Sequence, residues 1–156
     1  MDKKSFQEYY PKDLSQCYGC GTLNEHGLHL QSYWDGDESV AHFKPKPYHI
    51  AIPGYVYGGL IASLIDCHGT GTASAAAYRK ENRKMGSEPA LRFVTASLQI
   101  DYLKPTPIGL PLEIRGVIKE VGERKVVIEV RLLAEGILCA QGKVVAVKMP
   151  DYLSKA

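Results

Sequence analysis

Residues 58–80, GGLIASLIDCHGTGTASAAAYRK, are the one stretch of the chain with clear helical length. Leu60, Ile61, Leu64 and Ile65 recur at spacings of three and four, an alanine run follows, and Arg79-Lys80 puts positive charge where a helix ends. The interior nevertheless holds Gly69, Thr70, Gly71, Thr72 and Ser74, and each glycine costs up to about 1 kcal/mol relative to alanine. A helix written this way needs something pressed close against its backbone. A sheet wrapped around it supplies that contact and offsets the poor propensity through packing.

On either side of this stretch the hydrophobic period changes to two. Upstream, between Gly27 and Phe43, Leu28, Leu30 and Trp34 alternate with polar neighbours. Asp35-Gly36 marks a tight turn and Val40 to Phe43 resumes extended character, so a hairpin is expected. Pro45, Pro47 and Pro53 then stiffen a loop. Downstream of the polar loop Glu81 to Pro89, four strand-like runs follow. In the first, Val94, Ala96, Leu98, Ile100 and Tyr102 alternate with Thr95, Ser97, Gln99 and Asp101, which predicts that Thr95 faces away from the hydrophobic set. Leu112 and Ile114 mark the second run, and Val126, Ile128, Val130 and Leu132 the third, with hairpin turns at 121–123 and 135–136. Ile137 to Met149 is apolar on both faces in places, as suits a strand paired on both sides or lying in an interface. Two strands, one helix and four strands predict an α+β fold, a long central helix wrapped by a mostly antiparallel sheet of about six strands.

A chain of 156 residues suits one domain, expected over residues 17–150 with residues 1–16 as an N-terminal extension. Apolar residues at 45% and charged residues at 23% exclude disordered and collagen-like classes. A net charge of +2 excludes the strongly basic balance of a nucleic-acid surface. The most apolar region, Ile50 to Tyr78, carries Asp66 and His68 at its middle. An aspartate at mid-membrane costs about 2.5–3.5 kcal/mol, so no membrane span is expected. The N-terminal MDKKSFQEYYPKDL lacks the apolar stretch of a secretory signal, which sets a cytoplasmic expectation. In such a reducing compartment the four cysteines, Cys17, Cys20, Cys67 and Cys139, are not expected to form disulfides.

Three motifs in order carry a family resemblance. Pro53-Gly54-Tyr55-Val56-Tyr57-Gly58-Gly59 leads, after six intervening residues, to Asp66; Val94 to Pro105 forms a strand with a threonine that closes on Tyr102-Leu103-Lys104-Pro105; and Cys17-Tyr18-Gly19-Cys20-Gly21 precedes Asn24, Gly27 and Leu28. Together they resemble the hotdog-fold acyl-CoA thioesterases of the phenylacetate-pathway type, over about residues 17–148. The resemblance implies hydrolysis of an acyl-CoA thioester, with coenzyme A as part of substrate and product and no other cofactor. It also implies a homodimer with its sites at the interface, assembling into a homotetramer. Tyr57 is the departure, because the family usually has histidine there, beside the thioester carbonyl; Tyr57 is kept as a substrate-binding residue with its role open.

The residues themselves support a catalytic reading. Gly58 and Gly59 open the helix, where the first amides lack intrahelical partners and the macrodipole adds about half a positive charge. A thioester oxygen gaining negative charge is stabilised by such donors, and glycine lets it approach. Asp66 interrupts an apolar stretch, where a carboxylate is costly unless hydrogen-bonded or at a wet cleft. As the resemblance implies, it serves as general base for water or as nucleophile; the plainer alternative is a buried aspartate holding a nearby loop. Eight residues separate Gly58 from Asp66, roughly 12 Å along one helix, so they cannot serve one carbonyl within one subunit. Two antiparallel helices across a two-fold axis would bring them together in two equivalent sites. Thr95 is the candidate to orient the water or the carboxylate, and Lys104, Arg124 and Lys125 are candidates for the coenzyme A phosphates.

His68, two positions from Asp66, is expected to be structural, at an interface. Cys17, Cys20, His26 and His29 have the residue types of a zinc site. Histidines three apart on a strand face opposite sides, however, and no metal is expected. A non-catalytic acyl-CoA binder and a hydroxyacyl-thioester dehydratase are the alternative functions. The dehydratase would need a histidine before the Pro53-Gly54 turn, and the spacing of His42 and His49 does not suit it.

Overall fold

The computed structural model describes residues 3–153. Two strands, β1 (Ser32–Asp35) and β2 (Glu38–Phe43), precede the helix α1 (Gly58–Lys80), and β3 (Phe93–Tyr102), β4 (Leu112–Val121), β5 (Lys125–Ala134) and β6 (Ile137–Lys148) follow it. All pairings are antiparallel, and the six strands lie in the order β1-β2-β4-β5-β6-β3. The chain leaves β2, runs along α1 and returns at the far edge as β3. The meander β4-β5-β6 then fills the gap between β2 and β3. This is the hotdog arrangement, and the helix boundaries match the period seen in the sequence. Among the described residues no helix is long and apolar enough to cross a membrane.

The core lies between α1 and the concave face of the sheet. Leu64 and Ile65 from the helix meet Ile114, Ile128, Leu132 and Val144 from the strands, all fully buried. Burial of each such side chain contributes about 1.5–3 kcal/mol. The glycines of α1 are explained by two different neighbours. A Cβ at Gly69 would collide with Val144 of β6, so there the sheet itself presses on the helix. A Cβ at Gly71 would stand 2.9 Å from the Gln7 amide nitrogen and 3.2 Å from the Tyr10 hydroxyl. The segment of two short 3-10 turns, Phe6–Tyr9 and Lys12–Leu14, therefore covers the side of α1 that the sheet leaves open, with Phe6 and Gln7 of the first turn buried. Covered from both sides, every residue of α1 from Gly71 to Tyr78 is buried.

The first half of α1 is different. Gly59, Ala62, Ser63, Asp66 and Thr70 form a half-exposed stripe at helical spacing. Beside this stripe runs β3, one of the two edge strands, which is exposed from Thr95 to Gln99.

Candidate active site

Two tyrosines frame the start of α1, where the Gly58 and Gly59 amides have no intrahelical partner, while the Leu60 amide already bonds the Tyr57 carbonyl. Tyr102 reaches across from β3 and donates its hydroxyl to the Gly58 carbonyl at 2.7 Å. Its ring lies 3.4 Å from where a Gly58 Cβ would stand. Tyr57, the N-cap residue, folds its ring over Gly59 so that a Cβ there would collide with it, yet the tyrosine itself is exposed. Sequence reasoning assigned no role to Tyr102; its only signal was the aromatic residue that closes the strand before Pro105.

Two turns along the helix, Asp66 is half-buried and accepts a hydrogen bond from the Thr95 hydroxyl, Oγ1 to Oδ1, at 2.6 Å. Its Oδ2 has no hydrogen-bond partner among the described residues. Burial raises the carboxyl above its usual range; the Thr95 bond works against that shift and the neighbouring Cys17 adds to it. Here the structure corrects the alternation argument for Thr95. Thr95 pairs with Ala146 and Ser97 with Val145, so Ala96 is an extra residue in a β-bulge. An extra residue shifts the period by one. Thr95 therefore shares the helix-facing side with Ile100 and Tyr102, despite its odd spacing from them.

Beside the carboxylate opens a cavity of about 270 Å³, lined by Tyr10, Leu14, Tyr78, Leu91 and Phe93, with Asp66 and Thr95 also in its wall. The candidate phosphate ligands separate. Lys104 lies beyond Tyr102, in a hollow shared with Gly58. Arg124 lies at the opposite end of β3, in a hollow with Lys80, Phe93 and Lys148. Lys125 stands next to it, 3.7 Å from Glu120, both side chains being exposed. Within one subunit the two groups are the length of β3 apart, roughly 30 Å.

His68 lies in the interior of its own subunit, which corrects the interface expectation. Its Nδ1 is 2.8 Å from the Ser32 hydroxyl and its Nε2 is 2.9 Å from that of Ser39. The cysteines also regroup. His26 is exposed beside Glu25, and His29 bonds the Asn24 carbonyl, so neither joins Cys17 and Cys20. Cys67 of α1 does, with its sulfur 3.8 Å from that of Cys17. Hydrogen bonds from Cys20 and Cys67, aided by the Cys20 and Gly19 amides, hold the Cys17 thiol far below the usual thiol range. The bond to Cys17 pushes Cys20 up, and the bonds to Cys17 and Cys20, with burial, push Cys67 up. The pairing of Cys17 and Cys20 with the two histidines missed this grouping, because Cys67 is 50 residues away from Cys17.

Residues 53–141, more than half of the chain, match the model of the thioesterase superfamily, and the chain belongs to that superfamily. Over 87 residues it is 32% identical to an acyl-coenzyme A thioesterase, THEM4, of Xenopus laevis; the match covers 56% of this chain and 33% of the relative, so the chain spans about a third of that relative's length. Among solved structures, a thioesterase superfamily protein from Shewanella loihica PV-4 is 59% identical, with a TM-score of 0.67 over 81% of this chain and 96% of that one. The E. coli PaaI protein from the phenylacetic acid degradation operon shares the fold at 15% identity, with a TM-score of 0.64 over 79% of this chain and 81% of its own.

Proposed function

We propose that the chain hydrolyses the thioester of a small or medium acyl-CoA, in a homodimer whose sites lie at the interface. The observation that carries this reading is the Thr95–Asp66 pair: a half-buried carboxylate with one oxygen held at 2.6 Å and the other without a partner among the described residues, beside an apolar cavity. A carboxylate made more basic by burial is suited to take a proton from water or to attack a carbonyl carbon itself. Family membership and the identity to a coenzyme A thioesterase support the substrate class.

Support for the dimer comes from what a single subunit leaves open. The half-exposed stripe through Gly59, Ser63 and Asp66 and the exposed edge of β3 lie side by side, joined by the Thr95–Asp66 and Tyr102–Gly58 bonds. A second copy laid antiparallel along this edge would bring its Gly58 to the Asp66 of the first. The same operation would bring Lys104 of one copy toward Arg124 and Lys125 of the other, so the cationic groups that are far apart in one subunit would flank one site. In such a site the Gly58 and Gly59 amides stabilise the oxyanion, and water or Asp66 attacks the thioester carbon. With water as nucleophile, Asp66 takes its proton, the C–S bond breaks and the proton passes to the departing sulfur, leaving the free acid and coenzyme A as its thiol. With Asp66 as nucleophile, C–S cleavage leaves an acyl–aspartyl anhydride, which water hydrolyses to the acid while the water's proton ends on the thiolate. Coenzyme A is the only cofactor this chemistry needs, and it enters as part of the substrate.

A panel of acyl-CoA thioesters with a thiol-reactive dye measures the activity, and subunit mixing tests the interface. Asp66→Asn and Gly58→Val should each be nearly inactive alone. Mixed and re-equilibrated in equal amounts, they should recover about a quarter of wild-type turnover, because half of the dimers then carry one intact site of two. No turnover on any acyl-CoA would overturn the enzymatic reading in favour of a non-catalytic binder. Turnover by wild type without recovery on mixing would overturn the shared site.

A further inference from the structure

The Cys17-to-Gly21 turn closes on itself through a bond from the Gly21 amide to the Cys17 carbonyl at 2.8 Å, and the closed turn sits against α1 at Cys67. The approach is close enough that a Cβ at Gly19 would collide with the Cys67 sulfur. The sulfur atoms of Cys17, Cys20 and Cys67 all lie within 4.8 Å of one another, and those of Cys17 and Cys67 are 3.8 Å apart. Tetrahedral zinc–thiolate bonds of about 2.3 Å require neighbouring sulfurs about 3.8 Å apart. The Cys17–Cys67 distance matches one edge of such a tetrahedron, and the other two pairs lie within 4.8 Å. A disulfide would draw two of the sulfurs to about 2.05 Å and leave the third unused, whereas one tetrahedral cation engages all three.

We propose that Cys17, Cys20 and Cys67 form a three-thiolate site for a soft, thiophilic cation of the zinc class. Three sulfur donors select such an ion over magnesium or calcium, whose preferred ligands are oxygens. Binding is a proton-for-metal exchange: each thiol proton still present is released, each sulfur donates a lone pair, and no oxidant or reductant takes part. All three cysteines line the cavity beside Asp66, from which a water could supply the fourth donor. His26 and His29, held by Glu25 and Asn24, do not supply it. A bound cation would clamp the Cys17–Gly21 turn, and with it the N-terminal cover of the cavity, to the helix that carries Asp66. The site rests on sulfur geometry alone and is independent of the thioesterase reading.

The test uses the full chain, stripped with a chelator and kept reduced by a phosphine under argon. Titration with cobalt(II) should produce a sulfur-to-cobalt charge-transfer band that saturates at one cobalt per chain and disappears when equimolar zinc is added. Cys17→Ser and Cys67→Ser should each weaken binding by at least about 100-fold, and the double variant His26→Ala, His29→Ala should bind as wild type. Cys17 is exposed and tolerates serine more readily than buried Cys67, so Cys17→Ser is the deciding variant. Absence of the band, or wild-type binding by Cys17→Ser, would overturn the proposal. Neither result depends on turnover, so failure of the metal site and failure of the hydrolase reading are separately visible.

Discussion

Asp66 and His68 stand two residues apart on one helix and have opposite surroundings. His68 points into the sheet, where both ring nitrogens are engaged by Ser32 and Ser39. Ser39 goes on to Thr72, and Ser32 goes on to Gln7, so the network closes within the subunit. Asp66 points to the half-open stripe, with one oxygen held by Thr95 and the other unpartnered among the described residues. A buried polar group with every partner in place contributes structure, because any change leaves a neighbour unsatisfied. A carboxylate with one free oxygen, raised in basicity by burial and facing a cavity, is suited to chemistry. Where polar side chains interrupt a hydrophobic helix, the closure of their hydrogen bonds separates the structural residue from the reactive one.

The sharpest way to break this contrast is to exchange the consequences of the two residues. Asp66→Asn keeps the volume and an acceptor for Thr95, so it should lower kcat/KM by at least about 100-fold while the melting temperature stays near wild type. Wild-type turnover in this variant would remove Asp66 from the mechanism. For His68 the effect should appear in stability instead. Burial, with the Arg115 charge adding and the Ser39 bond opposing, pushes the His68 ring down to about 4 from a usual 6.5. As pH falls below about 6.5 the unfolded chain takes a proton that the folded chain refuses until about 4. Stability contributed by the neutral ring is thus present above that window and lost within it, by roughly 3 kcal/mol. His68→Leu should cost about 2 kcal/mol at neutral pH, by leaving Ser32 and Ser39 short of partners, and should flatten the acid slope in denaturant titrations. The folded fraction should keep its turnover; a variant as stable as wild type would overturn the closed-network account.

The smallest effect is expected at Tyr57, at the exposed end of the same stripe. Tyr57→Phe keeps the ring over Gly59 and removes only the hydroxyl. If that hydroxyl bonds the thioester oxygen, kcat/KM should fall about fivefold, near 1 kcal/mol, at unchanged stability. An unchanged rate would make Tyr57 a wall of the site and leave the oxyanion to the helix amides.

The local periods carry over into the structure element by element. The helix runs from Gly58 to Lys80, and the hairpin turns fall after Val121 and Ala134. The out-of-pattern residue, Asp66, does lie beside a cavity. These features are short-range: spacing, turn residues and a charge in an apolar run are all visible within a few positions. Thr95 shows where such reasoning ends. Strict alternation turned it away from the hydrophobic face, and the bulge at Ala96 turned it back toward Asp66. A bulge is set by how two strands register against each other and against the helix, which no single strand's pattern records.

By itself, then, the sequence determined the element order, the exposed and buried periods, the glycine-opened helix and the carboxylate eight residues along it. Only the tertiary structure decided which side chains meet. It brought Thr95 to Asp66, Tyr102 to Gly58, His68 to two serines from separate strands and Cys67 to a turn 50 residues earlier. The physical reason is range. Periodicity and propensity act over one or two turns of chain, whereas hydrogen-bond and sulfur contacts depend on angles and distances set when the sheet closes around the helix.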